Sequence, residues 1–445
     1  MSFPWTSRRP LLGRLRTAPM GLRSLIESRL LRHSALAVID QAVVSGTSFA
    51  TSVLLARHST REEVGSYYLA LSVLLLARGI QEQVICAPYM IYCHKQPPAQ
   101  AGRYAASALV HHVALSWPVF LLIFLAGWSG LGPDEARGVW LAVGFGGPLI
   151  LLRECVRQMA LAHLRLGQAL LLDGLACVLQ LGLLGAAAAY GQLTVRGTLM
   201  ILALAAGLPA IGWILSAARW LRPSLRGAWN DLLLNWQFGR WALASHLLAA
   251  MTPYLMPWAV AWSHGTAETG LWGAANTLVG LSNIFLMGLC NSLGPRAAQA
   301  YAAGGLAELK GVLLRTAALF GTTLGGLCLA AWVCGEWIAV ALLGPQFAGL
   351  GPLVGLLSVS VLVNSVGVVA GNGLWAMDRP RASFLADAAA MGVVLVATAW
   401  WVPGGGPLGA AAATLAGTSV DALVRLAILR SAWRQGIQEA VPCTS

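Results

Sequence analysis

Apolar runs long enough to cross a bilayer recur along the whole chain, and they leave little room for any other architecture. The first, Ser34–Arg57, reads SALAVIDQAVVSGTSFATSVLLAR. At about 1.5 Å per residue it makes a helix of roughly 36 Å, against a hydrocarbon core of about 30 Å. Asp40 and Gln41 lie inside this run. A carboxylate facing lipid costs about 2.5 kcal/mol or more, so the pair faces protein or water. Ser45, Gly46, Thr47 and Ser48 are small enough for a neighbouring helix or a wet cavity to come close. The run therefore reads as the wall of an internal cavity rather than as a simple anchor.

Eleven further runs follow: Ser66–Ile91, Ala105–Trp128, Gly138–Leu161, Gly167–Tyr190, Arg196–Trp220, Arg240–Trp262, Leu271–Leu293, Leu313–Val340, Gly351–Met377, Ser383–Trp401 and Leu408–Leu429. They predict an all-α membrane protein of about twelve transmembrane helices. The division predicted is a basic cytoplasmic tail (1–33), an N-terminal six-helix bundle (34–220), a cytoplasmic connector rich in Arg and Trp (221–239), a C-terminal six-helix bundle (240–430) and a second cytoplasmic tail (431–445). The basic tail lacks an apolar core with a small-residue cleavage site, so it reads as a tail or an interfacial helix around Leu22–Leu31. Met20 offers a second start of translation.

Only 10% of the 445 residues are charged, where a soluble globular chain holds about a quarter. The net charge of +12 has no basic soluble domain to sit in, so it speaks for topology and against a nucleic-acid partner. With the amino terminus in the cytoplasm, the inner connectors hold seventeen Lys and Arg without counting the tail, and the outer ones only Arg57, Arg61, Arg137 and Arg196. Both termini are expected inside. The cysteines lie mostly in apolar runs, with no metal-ligand spacing, and read as small buried hydrophobes. The absence of a G-x-x-x-x-G-K-[ST] loop means that this chain does not hydrolyse ATP. No cofactor is expected.

The halves look like repeats. Glu63-Val-Gly65 and Ala70 recur 205 positions later as Glu268-Thr-Gly270 and Ala275, and Arg165 with Asp173 recurs 214 positions later as Arg379 with Asp387. Six spans per half make such repeats parallel, around a central cavity.

The segment DQAVVSGTSFATSVLLARHSTREEVGSYYLALSVLLLARGIQEQVICAPYM from Asp40, and LLRECVRQMALAHLRLGQALLLD ending at Asp173, resemble patterns of the polysaccharide flippases of the multidrug/oligosaccharidyl-lipid/polysaccharide exporter superfamily. So do GLWGAANTLVGLSNIFLMGLCNSLGPRAAQAY and LLGPQFAGL in the second half. The likeness covers roughly 34–430 and is spread over many loose positions. It implies a V-shaped pair of bundles that flips lipid-linked oligosaccharide, such as O-antigen, across the plasma (inner) membrane for polysaccharide or lipopolysaccharide biosynthesis. Membrane lipids, a glycan polymerase and glycosyltransferases are the partners it implies.

The ionisable residues within the spans fall in their cytoplasmic halves. Arg153 and Arg157, four apart on the fourth span, share one face and can grip a diphosphate; for Arg157 and Arg425, snorkelling to the headgroups competes with any functional role. Arg78 with Glu82, and Asp421 with Arg425, read as i,i+4 pairs. Asp40, Asp173 and Asp387 lack such a local partner and are the stronger functional candidates, the last two for ion coupling. Gln41, Asn276, Asn283, Asn364 and Asn372 suit sugar hydroxyls or, alternatively, hydrogen bonds between helices. Gly321-x-x-x-Gly325 and Gly367-x-x-x-Gly371 read as sites of close helix packing. The expected substrate-binding set is Asp40, Gln41, Arg78, Arg153, Arg157, Asn276, Asn364 and Asn372. A cation-coupled multidrug exporter of the same superfamily is the alternative. A membrane glycan polymerase or ligase fits less well, because the outer connectors are short and Glu336 is the one acidic residue near the long one; the chain reads as a non-enzyme.

Overall fold

A computed structural model describes residues 20–130 and 134–439, some of them by backbone alone. Most of the basic tail, the connector 131–133 and the last six residues lie outside the described part, as do the side chains of the interfacial stretch Leu22–Leu31 and of Asn283.

Among the described residues the chain is all helix, with no strand. The helices are α1 (Met20–His58), α2 (Arg61–Tyr92), α3 (Pro98–Trp128), α4 (Asp134–Ala162), α5 (Leu166–Ala189) and α6 (Val195–Ala217). Two long helical runs follow, Leu225–Leu343 and Pro380–Glu439, on either side of α10 (Gly351–Ala376). Backbone breaks divide them. Gly265, Gly305 and Gly406 hold φ of 84°, 63° and 52°, a region that residues with a Cβ enter only at a cost. The pieces are α7 (225–264), α8 (266–303), α9 (306–343), α11 (380–405) and α12 (407–439). Nine stretches of the described residues are long and apolar enough to cross a membrane, and the two longest, Leu293–Leu343 and Arg381–Arg434, each contain one of these breaks. The architecture is that of a multi-pass membrane protein built from two helical bundles, as its hydropathy predicts.

The described residues form two compact units. The first takes those of Met1–Thr51 and Val73–His246; the second takes Ser52–Ser72 and Leu247–Ser445. The tip of the α1–α2 hairpin thus packs with the helices of the C-terminal half.

In the first unit α4 is the central helix, packed against α3, α5 and α6, and 61% of its spanning window is buried. The stretch read as a polar connector is helical from Leu225 and continuous with α7. It docks on α3: Asp231 accepts from Ser107 Oγ at 2.7 Å and from Arg103 at 3.4 Å, and Tyr104 Oη donates to Asn235 Oδ1 at 2.7 Å. Buried polar groups need such partners, which is why this Arg- and Trp-rich stretch is ordered against the bundle. Its opposite side leaves Trp229, Trp236 and Trp241 exposed, as expected of a helix at a membrane surface.

In the second unit the hairpin tip is held by backbone carbonyls. Arg57 Nε donates to Leu342 O at 2.7 Å, and Gln346 Nε2 donates to Ser59 O at 2.9 Å. Gly65 and Gly270 sit at a crossing so close that a Cβ on Gly65 would strike Thr266 O, and one on Gly270 would strike Arg61 O. Those two collisions are related by the 205-residue offset read in the sequence, so the crossing is reciprocal. Glu336 accepts from the backbone N–H of Gly349 at 2.6 Å and of Gly351 at 2.8 Å, capping the start of α10. α11 and α12 fold back about Gly406, bringing Gly417 against Val394.

The second repeat match is structural as well. Leu164 and Asp378, 214 apart, both take positive φ, 54° and 56°. Arg165 N–H reaches back to Ala160 O and Arg379 N–H to Leu374 O, so the α4–α5 and α10–α11 turns are built alike.

Candidate functional site

Six charged side chains meet in the first unit, contributed by α1, α2, α4 and α5. Arg157 is their hub. Its Nη2 donates to Asp40 Oδ2 at 2.6 Å, its Nε to Asp173 Oδ2 at 2.5 Å and its Nη1 to Glu154 Oε1 at 3.4 Å. Arg153 Nη1 donates to the other Asp173 oxygen at 3.0 Å. Arg78 Nη2 donates to Glu154 Oε1 at 3.1 Å, and Gln158 Nε2 joins the same oxygen at 3.0 Å. Asp173 is 1% exposed, and Asp40 and Glu154 are 4% exposed, so three buried carboxylates meet three guanidiniums, of which Arg157 is buried and Arg78 and Arg153 are half-buried. The formal charges cancel. Removing two ions from water costs several kcal/mol each, and only tight reciprocal pairing offsets it.

The pairing is incomplete at two atoms. Asp40 Oδ1 and Arg153 Nε are buried without a hydrogen-bond partner. A buried acceptor and a buried donor left over in one network are where a proton, a cation or a substrate oxygen can enter.

Several sequence expectations are corrected here. Arg78 pairs with Glu154 rather than with Glu82, because the deeply buried carboxylate needs the counter-charge more than a half-buried one. Asp40, Asp173 and Asp387 find their ionic partners on other helices, in keeping with the lack of a local one. Arg153 and Arg157 already hold Asp173 and do not present two bare charges. Gln41 is exposed and donates to Ser45 on its own helix at 3.0 Å. Asn276 and Asn372 donate to Trp272 O and Val368 O, one turn back on their own helices, and Asn364 is half-buried on α10.

The second unit carries a smaller cluster. Arg425 Nη2 donates to Asp387 at 2.6 Å and its Nε to Asp421 at 2.8 Å. At the 214-residue offset the positions of Arg153 and Arg157 are Gly367 and Gly371. A Cβ on Gly367 would sit 2.7 Å from Asp421 Oδ2, and one on Gly371 would meet Arg425 Nη1. Those glycines thus make room for an ion pair from α12, where α4 of the first unit supplies its own arginines. Asp173 and Asp387 occupy like places in α5 and α11 but are held from different helices.

Outside the spans, burial followed by the charges of His94 and Arg165 pushes the His163 imidazole down to about 4, and burial pushes the Cys93 thiol up to about 11. At pH 7 both are neutral.

No protein-family model and no curated protein matches the chain. Solved structures do. An inward-facing multidrug resistance MATE family transporter of the MOP superfamily matches with a TM-score of 0.73 at 13% identity, over 90% of this chain and 96% of that one. The lipid II flippase MurJ matches with a TM-score of 0.73 at 11% identity, over 90% and 87%. The chain has the fold of the MOP superfamily transporters. A third example of the MOP fold, a transporter from Pyrococcus furiosus with a binding pocket of reversed polarity, matches with a TM-score of 0.62 at 14% identity, over 90% and 94%.

Proposed function

We propose that the chain is an alternating-access transporter that carries a polyprenyl-diphosphate-linked oligosaccharide from the inner to the outer leaflet of the plasma membrane. The observation that carries this reading is the network of three buried carboxylates and three arginines with Asp40 Oδ1 and Arg153 Nε left over. A diphosphate offers the acceptor oxygens that Arg153 and Arg157 would exchange for Asp173. Stripped of both guanidiniums, a carboxylate as buried as Asp173 is neutralised most simply by a proton. Substrate entry and proton uptake would then be one event, with Asp40 as the second acceptor and Asp387 serving the equivalent role in the other unit. Gln41 in the first unit, and Asn276, Asn364 and Asn372 in the second, offer neutral hydrogen bonds suited to sugar hydroxyls. The apolar tail can remain in lipid.

The second reading is a cation-coupled multidrug exporter. Full neutralisation of the three arginines favours it, since no bare positive field waits for an anion. Binding to purified protein in lipid nanodiscs separates the two. Under the first reading polyprenyl diphosphate binds, and Arg153→Gln weakens it by roughly tenfold to a hundredfold, the worth of one charge-assisted hydrogen bond of about 1.5–3 kcal/mol. Arg153→Lys loses less, because charge survives although the planar fork does not. Binding of a lipophilic organic cation that Asp40→Asn abolishes, with none of the diphosphate, would establish the exporter instead.

The basic-residue bias sets the orientation proposed: the 221–239 stretch lies on the cytoplasmic side. In intact cells a membrane-impermeant thiol reagent should leave Arg226→Cys unmodified until the membrane is opened. Ready modification in sealed cells would reverse the topology.

A further inference from the structure

Away from the charge network, the C-terminal ends of α2 and α4 come together at three side chains that the transport reading does not use. Cys93 follows the last residue of α2, His94 is next, and His163 follows the last residue of α4. The candidate ligand atoms of the three all lie within 4.8 Å of one another. The imidazole rings of His94 and His163 meet edge to face, with centroids 5.6 Å apart. Each ring also has Nε2 against a protein oxygen: His94 at 2.9 Å from Ala162 O, and His163 at 3.0 Å from Tyr89 Oη. Metal-bound imidazoles make that outer hydrogen bond through the nitrogen that is not on the metal, and it fixes the ring's direction.

We infer that Cys93, His94 and His163 form a binding site for a zinc-class divalent cation, with one thiolate, two imidazoles and a fourth position open to water or an outside ligand. The donor set decides the class of ion: a thiolate with imidazoles suits zinc and disfavours magnesium or calcium, which take oxygen. Tetrahedral zinc holds sulfur and nitrogen ligands about 3.4–3.6 Å apart. The three atoms, within 4.8 Å of one another, therefore close by at most about 1.4 Å on binding, and the exposed His94 ring has the room to shift. The cation takes the place of the Cys93 proton, which leaves to solvent. Bound there, it ties the end of α2 to the end of α4, the helices that carry Arg78 and Arg157. A metal at this point would fix the spacing of two helices of the charge network without touching substrate.

The test is cobalt and zinc titration of the full chain, stripped with chelator and held in detergent or nanodiscs. Cobalt should give a thiolate-to-metal charge-transfer band that zinc displaces. The band should vanish in Cys93→Ala, and His94→Ala, at an exposed ring, should weaken cobalt binding about tenfold or more without altering the size-exclusion profile. A band that persists in Cys93→Ala, or cobalt affinity unchanged in His94→Ala, would place the metal elsewhere and overturn the site. So would the absence of any band in the unaltered chain.

Discussion

Arg157→Gln destabilises the first unit by about 3–5 kcal/mol, the usual result of removing one partner from a buried ionic cluster and stranding the others. Asp40 and Asp173 lose a guanidinium at 2.6 and 2.5 Å and cannot reach water, since they are 4% and 1% exposed. Arg153 still holds one oxygen of Asp173, so the loss is not the whole of that carboxylate's pairing. Adding Asp173→Asn to Arg157→Gln should therefore restore part of the stability, because a neutral amide needs no counter-charge. Thermal unfolding in nanodiscs reads both changes. A double variant no more stable than Arg157→Gln would mean that Asp173 is not the group left stranded.

The second large effect belongs to the crossing in the other unit. Gly65→Ala places a methyl group against the backbone oxygen of Thr266, which cannot swing aside as a flexible side chain can. Gly270→Ala meets Arg61 O in the same way. Each should cost about 3 kcal/mol or more, at or beyond the upper end of overpacking penalties. The measurable outcome is a sharp fall in folded protein recovered from membranes. The control is Gly46→Ala, on α1, where nothing lies within 4 Å of the added carbon and recovery should be unchanged. Normal recovery of both Gly65→Ala and Gly270→Ala would show that the helices separate there at little cost.

The helices were legible because hydropathy at this density permits little else. Their breaks at Gly265, Gly305 and Gly406 fall between predicted spans, where a residue without a Cβ is useful. The two repeat matches were legible for a physical reason too. Gly65 and Gly270 recur because they face each other, and Arg165 and Arg379 recur because both follow a residue of positive φ at a helix end. What the sequence hid was pairing at long range. Nothing local shows that Arg78 reaches Glu154 instead of Glu82, or that Arg157 rather than a ligand occupies Asp40 and Asp173. Gly367-x-x-x-Gly371 reads as a site of close helix packing, but the motif does not show that the side chains it admits are Asp421 and Arg425. Cys93, His94 and His163 escape any spacing rule because some seventy residues separate the histidines; only the packing of α2 against α4 joins them. That the 221–239 stretch is helical and docked was not legible, because its buried Asp231 and Asn235 look like solvated polar residues until α3 supplies their partners.

The central claim is that the Arg157 network moves substrate rather than merely holding helices together. A variant that neutralises it evenly, Arg153→Gln and Arg157→Gln with Asp40→Asn and Asp173→Asn, strands no charge and should keep the fold. Reconstituted in proteoliposomes and matched for protein content and thermal stability, it can be compared with the unaltered chain for the fraction of polyprenyl-diphosphate oligosaccharide that crosses between leaflets. The account predicts crossing by the unaltered chain and background only by the neutral variant. Crossing at an unaltered rate by the neutral variant would contradict it and leave those four charges as structural pairs.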